Sequence, residues 1–308
     1  MNVWQMTTYQ VNSSTDNFLH IKTLEDLWKV EDIEKEVIIF WGWSNLLLLK
    51  ENIKDKYFVK YDLEWKWEKT WEDNENFFFD IYAGENISKF ISKSLEYTNI
   101  FNPIYWLPGN IAWAIMGNTW SFWTHMGEFI EKIYWYNFIS KKFINIKKED
   151  LKFSHRKLSI KYSLFLIIKA NIRVPKNYKY DIKHYLEYAR ERIKFQPIGN
   201  SCGKYFLNPE ISIEKAEIIL KTQNEKEELW EDIYNYKMKT ISTKRLIEQA
   251  WLSGYSKKWV QISKLHPNFI MNIWTNNGQD IYDMGNYIKK TIKEKFDIDL
   301  IEEVRIIQ

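Results

Sequence analysis

The sequence predicts an α+β protein of two or three domains. The chain is 308 residues long, enough to build more than one hydrophobic core. Its apolar runs are short and bounded by turn residues, as strands require, and amphipathic stretches at helical spacing lie between them. No period of solenoid length repeats along the chain, which excludes a stack of like units.

The elements follow in order. LHIKT at 19–23 reads as a strand, LEDLWKVEDIEKE at 24–36 as an amphipathic helical stretch, and VIIFW at 37–41 as a buried strand that runs into a turn near Asn45. A further strand, KYFVKYDLE at 56–64, closes a small α+β unit at about residue 63. FFFDIYAGENISKFISKSLE at 77–96 is a strand, a turn at Ala83 and Gly84, and a helix with Ile87, Phe90, Ile91 and Leu95 on one face. EFIEKIYWYN at 128–137 and the strand SLFLIIKANIRV at 163–174 complete a second unit, and VPKN at 174–177 is the best linker signal. The last unit holds the helix DIKHYLEYARERIKF, a charged helical region from Ser212 to about Trp230, and a helix around RLIEQA. The strands VQIS and NFIMNI, the amphipathic helix IYDMGNYIKKTIKEKF and the strand EEVRII follow. The expected domains are therefore 1–63, 64–173 and 174–308.

Charge and composition narrow the function. With 44 basic and 41 acidic side chains the net charge is only +3, too balanced to make nucleic acid the expected partner. A single cysteine, Cys202, excludes an internal disulfide framework and suits a reducing compartment. The five histidines, His20, His125, His155, His184 and His266, show no ligand spacing, so no metal site is expected. The amino terminus lacks a basic region followed by an apolar stretch, and no run is long enough for a membrane helix. A cytoplasmic monomer without membrane contact is the expectation.

Tryptophan is the anomaly. The chain has 10 Gly and 16 Trp, whereas a globular chain of this length should hold roughly 22 Gly at about 7%. In WLPGNIAWAIMGNTWSFW at 106–123, indoles interrupt a Pro, Gly, Asn, Ala and Ser composition that belongs to a tight loop approached by a ligand. Trp41 and Trp43 likewise flank Gly42 at a strand-to-loop junction. Read as glycines, these residues give ordinary ligand-binding turns. The composition thus points to UGA codons that the source organism reads as glycine.

The motifs, taken in order, resemble the UDP-N-acetylenolpyruvoylglucosamine reductase (MurB) family. They are TTYQV at 7–11, FWGWSNLLL at 40–48, YAGENISKF at 82–90, LPGNIAWAIMGNTWSFW at 107–123, FSHR at 153–156, SCGKYFLNP at 201–209, LIEQAWLSGY at 246–255 and EEVRII at 302–307. The match improves when Trp41, Trp43, Trp106, Trp113, Trp120, Trp123, Trp251, Trp259 and Trp274 are read as glycine. Trp4, Trp28, Trp65, Trp67, Trp71 and Trp230 fall outside clear motifs.

The resemblance implies a two-part FAD-binding region of the PCMH type followed by an α+β substrate-binding domain. It also implies reduction of the enolpyruvyl ether of a UDP-sugar by NADPH through FAD. Arg156 stands at the family's carboxylate-clamping arginine and Glu303 at its catalytic glutamate, with Glu302 beside it where the family often has proline. Lys204 occupies the place of the family's proton-donating serine. If lysine cannot serve there, the alternative is an impaired protein that binds FAD or UDP-sugar without turnover. The residues expected around FAD are Trp41, Gly42, Trp43, Ser44, Asn45, Gly84, Pro108, Gly109, Ile111, Ala114, Asn118 and Phe122, with loop amides facing the pyrophosphate. Lys194, Asn208, Tyr236 and His266 are expected to bind the UDP-sugar. Further departures are His155 for tyrosine, Leu207 for lysine, and Lys244 and Lys258 at glycine-like positions.

Overall fold

The structure, a computed structural model, describes residues 1–30, 34–40, 45–63, 67–105, 109–121, 124–154, 157–159, 165–176, 190, 194–221, 234–235 and 239–308. The chain packs as two compact units. The first comprises Met1, Thr15–Ser44 and Lys54–Arg192, and the second Asn2–Ser14, Asn45–Ile53 and Ile193–Gln308. The boundary expected at residue 63 therefore falls inside the first unit, and residues 2–14 and 45–53 pack with the carboxy-terminal part.

In the first unit, Lys56–Tyr61 lies between Phe18–Ile21 and Glu36–Phe40 in a three-stranded parallel sheet. Val37, Ile38, Ile39 and Phe40 are all buried, the continuous apolar run expected of a strand covered on both faces. A five-stranded antiparallel sheet has the order Lys142–Lys147, Ile130–Asn137, Phe165–Pro175, Asn76–Tyr82, Trp67–Glu72. Along its central strand Ala170, Ile172 and Val174 point into the core. On the other face Lys169 and Asn171 both reach Asp80, at 2.5 and 2.9 Å. The helix Ile87–Ser94 starts where the Asn86 side chain accepts the Lys89 amide, and it buries Ile87, Phe90 and Ile91.

In the second unit, Leu46–Leu48 pairs in parallel with Arg305–Ile307, which explains why residues 45–53 leave the first unit. Ser256–Lys257, Val260–Ile262 and Ile270–Asn272 form an antiparallel sheet. The helix Gly278–Phe296 buries Ile281, Met284, Ile288 and Ile292 along one stripe. It ends at Asp297 in the left-handed conformation, φ 51°. The amino-terminal segment is anchored here as well: Val3, Tyr9 and Val11 are buried, and Asn272 Nδ2 donates to the Tyr9 carbonyl at 2.7 Å. The α+β class expected from sequence is the class observed. Among the described residues no helix is long and apolar enough to cross a membrane, and no cluster of metal-ligating side chains occurs.

Candidate active site

The motif segments of the first unit meet around two asparagine caps. Asn86 and Asn110 form an isolated bridge, and Asn110 Oδ1 accepts the Trp113 amide at 3.0 Å to start the helix Ile111–Met116. Gly84 lies so close to the chain that a Cβ would meet the Leu63 carbonyl oxygen at 2.6 Å. Gly109 has φ +122°, a conformation open only to glycine. The amides of Ile111 and Ala112 donate to the carbonyls of Glu85 and Ala83, and that of Ala114 to Asn110. Ile111 and Ala114 are also buried. This corrects the expectation that their amides face a phosphate: they lace the loop together. Asn118, at φ 37°, accepts the Gly127 amide on Oδ1 and donates from Nδ2 to the Ser154 carbonyl, both at 2.9 Å. Thr119 Oγ1 beside it is buried without a partner among the described residues.

In the second unit the chain is drawn together around Lys204 and Glu303. The Glu303 amide donates to the Tyr205 carbonyl at 2.8 Å and the Leu207 amide to the Ile301 carbonyl at 2.9 Å. The short 205–207 and 301–304 segments therefore run side by side, with Lys204 and Glu303 at the same end. Asn268, 1% exposed, clamps the first of them from behind. Its Oδ1 accepts the Phe206 amide at 3.0 Å, its Nδ2 donates to the Phe206 carbonyl at 2.8 Å, and its own carbonyl accepts the Tyr205 amide. No sequence motif marks Asn268, because its partner lies 62 residues away.

The two neighbouring carboxylates differ in their surroundings. Glu302 is engaged by Lys289 of the long helix at 2.9 Å, whereas Glu303 has no ion pair among the described residues. Of the possible proton donors near Lys204, Cys202 is closed off: burial pushes its thiol up to about 12. His266 is driven down to about 3, first by burial and then by the positive charges of Lys204 and Lys244, so its ring stays neutral at working pH. Asn208 Oδ1 accepts the Thr243 amide at the start of the helix Thr243–Gln249. Lys194 is exposed, with its ammonium over the Phe195 ring. Trp41, Gly42, Trp43, Ser44, Pro108, Phe122, Arg156 and Tyr236 lie outside the described residues.

The tryptophans divide by backbone geometry. Trp251 follows the helix Thr243–Gln249 at φ 61° and is 85% exposed. The Leu252 amide donates to Ile247 at 3.2 Å and the Trp251 amide to Glu248 at 2.9 Å, the paired bonds of a Schellman ending whose left-handed residue is usually glycine. Lys258 and Trp259, at φ 50° and 63°, form the two-residue turn between Ser256–Lys257 and Val260–Ile262. A hairpin turn with both residues at positive φ favours Asn-Gly. Trp259 and Trp274 are 69% and 80% exposed. Trp135, in contrast, is 2% exposed in a strand and stacks on Phe165 at 4.9 Å. Trp67 packs against Phe79, Phe90 and Tyr97.

Comparison with known proteins places this arrangement. Residues 195–307 match the family model for the UDP-N-acetylenolpyruvoylglucosamine reductase C-terminal domain. A protein of that name from Fusobacterium nucleatum is 26% identical over 280 residues, covering 90% of this chain and 86% of its own length. One from Pseudoalteromonas translucida is 22% identical over 326 residues, covering 97% of this chain and 93% of its own. The chain is thus similar to MurB reductases over nearly its full length, and its carboxy-terminal third matches their C-terminal domain. Its fold is that of the crystal structure of MurB from Thermus caldophilus, with a TM-score of 0.72 at 18% identity over 100% of this chain and 98% of the other. The MurB domain match spans both segments that meet at Lys204 and Glu303, together with Asn268, which holds them.

Proposed function

We propose that this chain reduces UDP-N-acetylenolpyruvoylglucosamine to UDP-N-acetylmuramate in peptidoglycan precursor synthesis, with FAD as bound cofactor and NADPH as electron donor, in the cytoplasm and as a monomer. The observation that carries it is the pairing of residues 205–207 with 301–304, which brings Lys204 and Glu303 to one end of a buried, asparagine-clamped scaffold. Bound FAD supplies the two-electron transfer from NADPH to the alkene. One residue of the motif loops suits such a cofactor: Thr119 Oγ1 is a buried hydroxyl without a partner among the described residues. A division of the first unit into two FAD-binding subdomains belongs to the same proposal.

Reduction of the enolpyruvyl group puts negative charge on its carboxylate side, and fixed groups there stabilise the charge as it develops. Arg156 clamps that carboxylate through its guanidinium fork, and Glu303 acts beside it. The ion pair of Glu302 with Lys289 supports Glu303 as the functional one of the two. Lys204 delivers the proton to the carbanionic carbon beside the carboxylate, next to the carbon that takes the hydride, and neutral His266 leaves the positive charge at this end to the lysines. In the FAD-loaded enzyme, Glu303→Gln and Arg156→Ala should slow flavin reoxidation by substrate on the order of 100-fold while NADPH still reduces the flavin. Equal loss in both half-reactions would refute these roles. Lys204→Met should nearly abolish reoxidation; if it is harmless, the proton comes from elsewhere. Should the parent chain bind FAD and UDP-sugar without turnover while Lys204→Ser turns over, the chain is a binder that has lost its acid.

The same reading needs glycine in the flavin loops. We propose that Trp41, Trp43, Trp106, Trp113, Trp120, Trp123, Trp251, Trp259 and Trp274 are glycines encoded by UGA. The left-handed backbone of Trp251 and Trp259 supports this independently of composition. Peptides from the source organism should weigh as glycine at these sites, over UGA codons. UGG codons there would sink the idea.

A further inference from the structure

Asn45 ends the loop that the motif pattern assigns to the flavin, yet its side chain turns to the catalytic strand. Its Nδ2 donates to the Glu303 carbonyl at 2.9 Å, and its own carbonyl accepts the Arg305 amide at 3.0 Å. One residue thus grips the chain on both sides of Val304. The grip continues as a ladder, because Leu46–Leu48 pairs with Arg305–Ile307 from the next residue on. From the other side the Tyr205 carbonyl holds the Glu303 amide. The amide orientation of Asn45 is set by its acceptor: turned over, Oδ1 would face the Glu303 carbonyl oxygen, and two acceptors repel. As placed, Oδ1 is buried and without a partner among the described residues, a cost tolerated for the bond that Nδ2 makes.

We propose that Asn45 is a positioning residue for Glu303, fixing the backbone from which the Glu303 carboxylate projects, rather than a flavin ligand. This rests on the reading of Glu303 given above. Asn118 repeats the device in the first unit, where its Nδ2 holds the carbonyl of Ser154, two residues ahead of Arg156. In both units an asparagine of a flavin-loop motif secures the backbone beside a residue assigned to the substrate carboxylate.

The test is a double-mutant cycle on the FAD-loaded enzyme with glycine at the proposed positions. Asn45→Asp keeps the shape and removes the donor; Asn45→Ala removes it without adding charge. Both variants are expected to retain full flavin content and NADPH reduction, and to slow reoxidation by substrate 10- to 100-fold, on the order of what a displaced catalytic group costs. Because Asn45 acts through Glu303, Asn45→Asp combined with Glu303→Gln should be no slower than Glu303→Gln alone. In the FAD-free protein, hydrogen exchange at the amides of Glu303, Val304 and Arg305 should quicken in either Asn45 variant. Loss of flavin, additive slowing in the cycle, or unchanged exchange would overturn the inference. If Glu303→Gln slows reoxidation and the Asn45 variants do not, the inference fails alone. If Glu303→Gln is harmless, the reading of Glu303 fails and takes the inference with it.

Discussion

The sheet of the first unit and the turns of the second use the same residue type in opposite ways. Trp135 sits in a strand with its indole stacked on Phe165, and Trp67 packs edge-on against Phe90 and Tyr97 and tilted against Phe79. There the side chain is the reason for the residue, since a large aromatic buries area and fixes packing. Trp251 and Trp259 stand in left-handed turns with their indoles in solvent. The backbone conformation is the constraint in those turns, and the side chain contributes little. The difference separates tryptophans that the fold requires from those it merely carries, a distinction composition alone cannot make. It also assigns Trp67, which lies outside clear motifs, to the first group.

Replacing each kind by glycine breaks or sharpens that contrast. The largest effect is expected for Trp135→Gly, which should lose about 3–5 kcal/mol through the cavity left in the sheet, read as a drop in denaturant midpoint. A loss below about 1 kcal/mol would mean that the indole is not a core element. Trp251→Gly and Trp259→Gly should each gain about 1–2 kcal/mol, the cost of holding a residue with a Cβ in the left-handed region. Destabilisation by either would remove the structural support for glycine at these sites.

A smaller effect concerns His266 in the same unit as the turns. Its pKa is near 3 in the folded chain and 6.5 as a free side chain. The unfolded chain therefore binds the extra proton first as pH falls, so the contribution of His266 to stability is complete above 6.5 and is lost progressively toward 3. His266→Gln should flatten the decline in melting temperature between pH 7 and 4 relative to the parent. An unchanged slope would show that His266 is not the titrating group. Lys204→Met, by removing one of the two nearby positive charges, should let the folded chain protonate His266 more readily, so that the decline still begins near 6.5 but levels off sooner and is smaller in total.

Much of this fold was legible in the sequence. The buried run VIIF at 37–40, the strand FFFDIY, the helix face of Ile87, Phe90 and Ile91 and the apolar stripe of the last helix all form as their periodicity indicates. The strands Trp67–Glu72 and Lys142–Lys147 were not legible. They are the two edges of the five-stranded sheet, and edges rich in charge carry little apolar alternation. The packing of residues 45–53 with the carboxy-terminal unit was hidden as well, since it depends on a parallel pairing between segments far apart in the chain. Of the site, the motif resemblance located Lys204 and Glu303, which the structure brings to one end of paired segments. It could not show that the amides of Ile111 and Ala112 are engaged within the loop, because hydrogen-bond partners are a property of the fold and not of the motif.

We propose a flavin-dependent reductase whose flavin loops carry glycine in place of tryptophan. The direct measurement is made under anaerobic conditions, with the glycine and tryptophan forms purified side by side and followed at the flavin absorbance. The glycine form is predicted to be yellow with stoichiometric FAD, to bleach with NADPH, and to recover its colour on addition of the enolpyruvyl UDP-sugar; the tryptophan form should hold little FAD, since overpacking at a ligand-lined backbone costs several kcal/mol. A tryptophan form fully loaded with FAD, or a reduced glycine form that the enolpyruvyl UDP-sugar fails to reoxidise, would contradict the account.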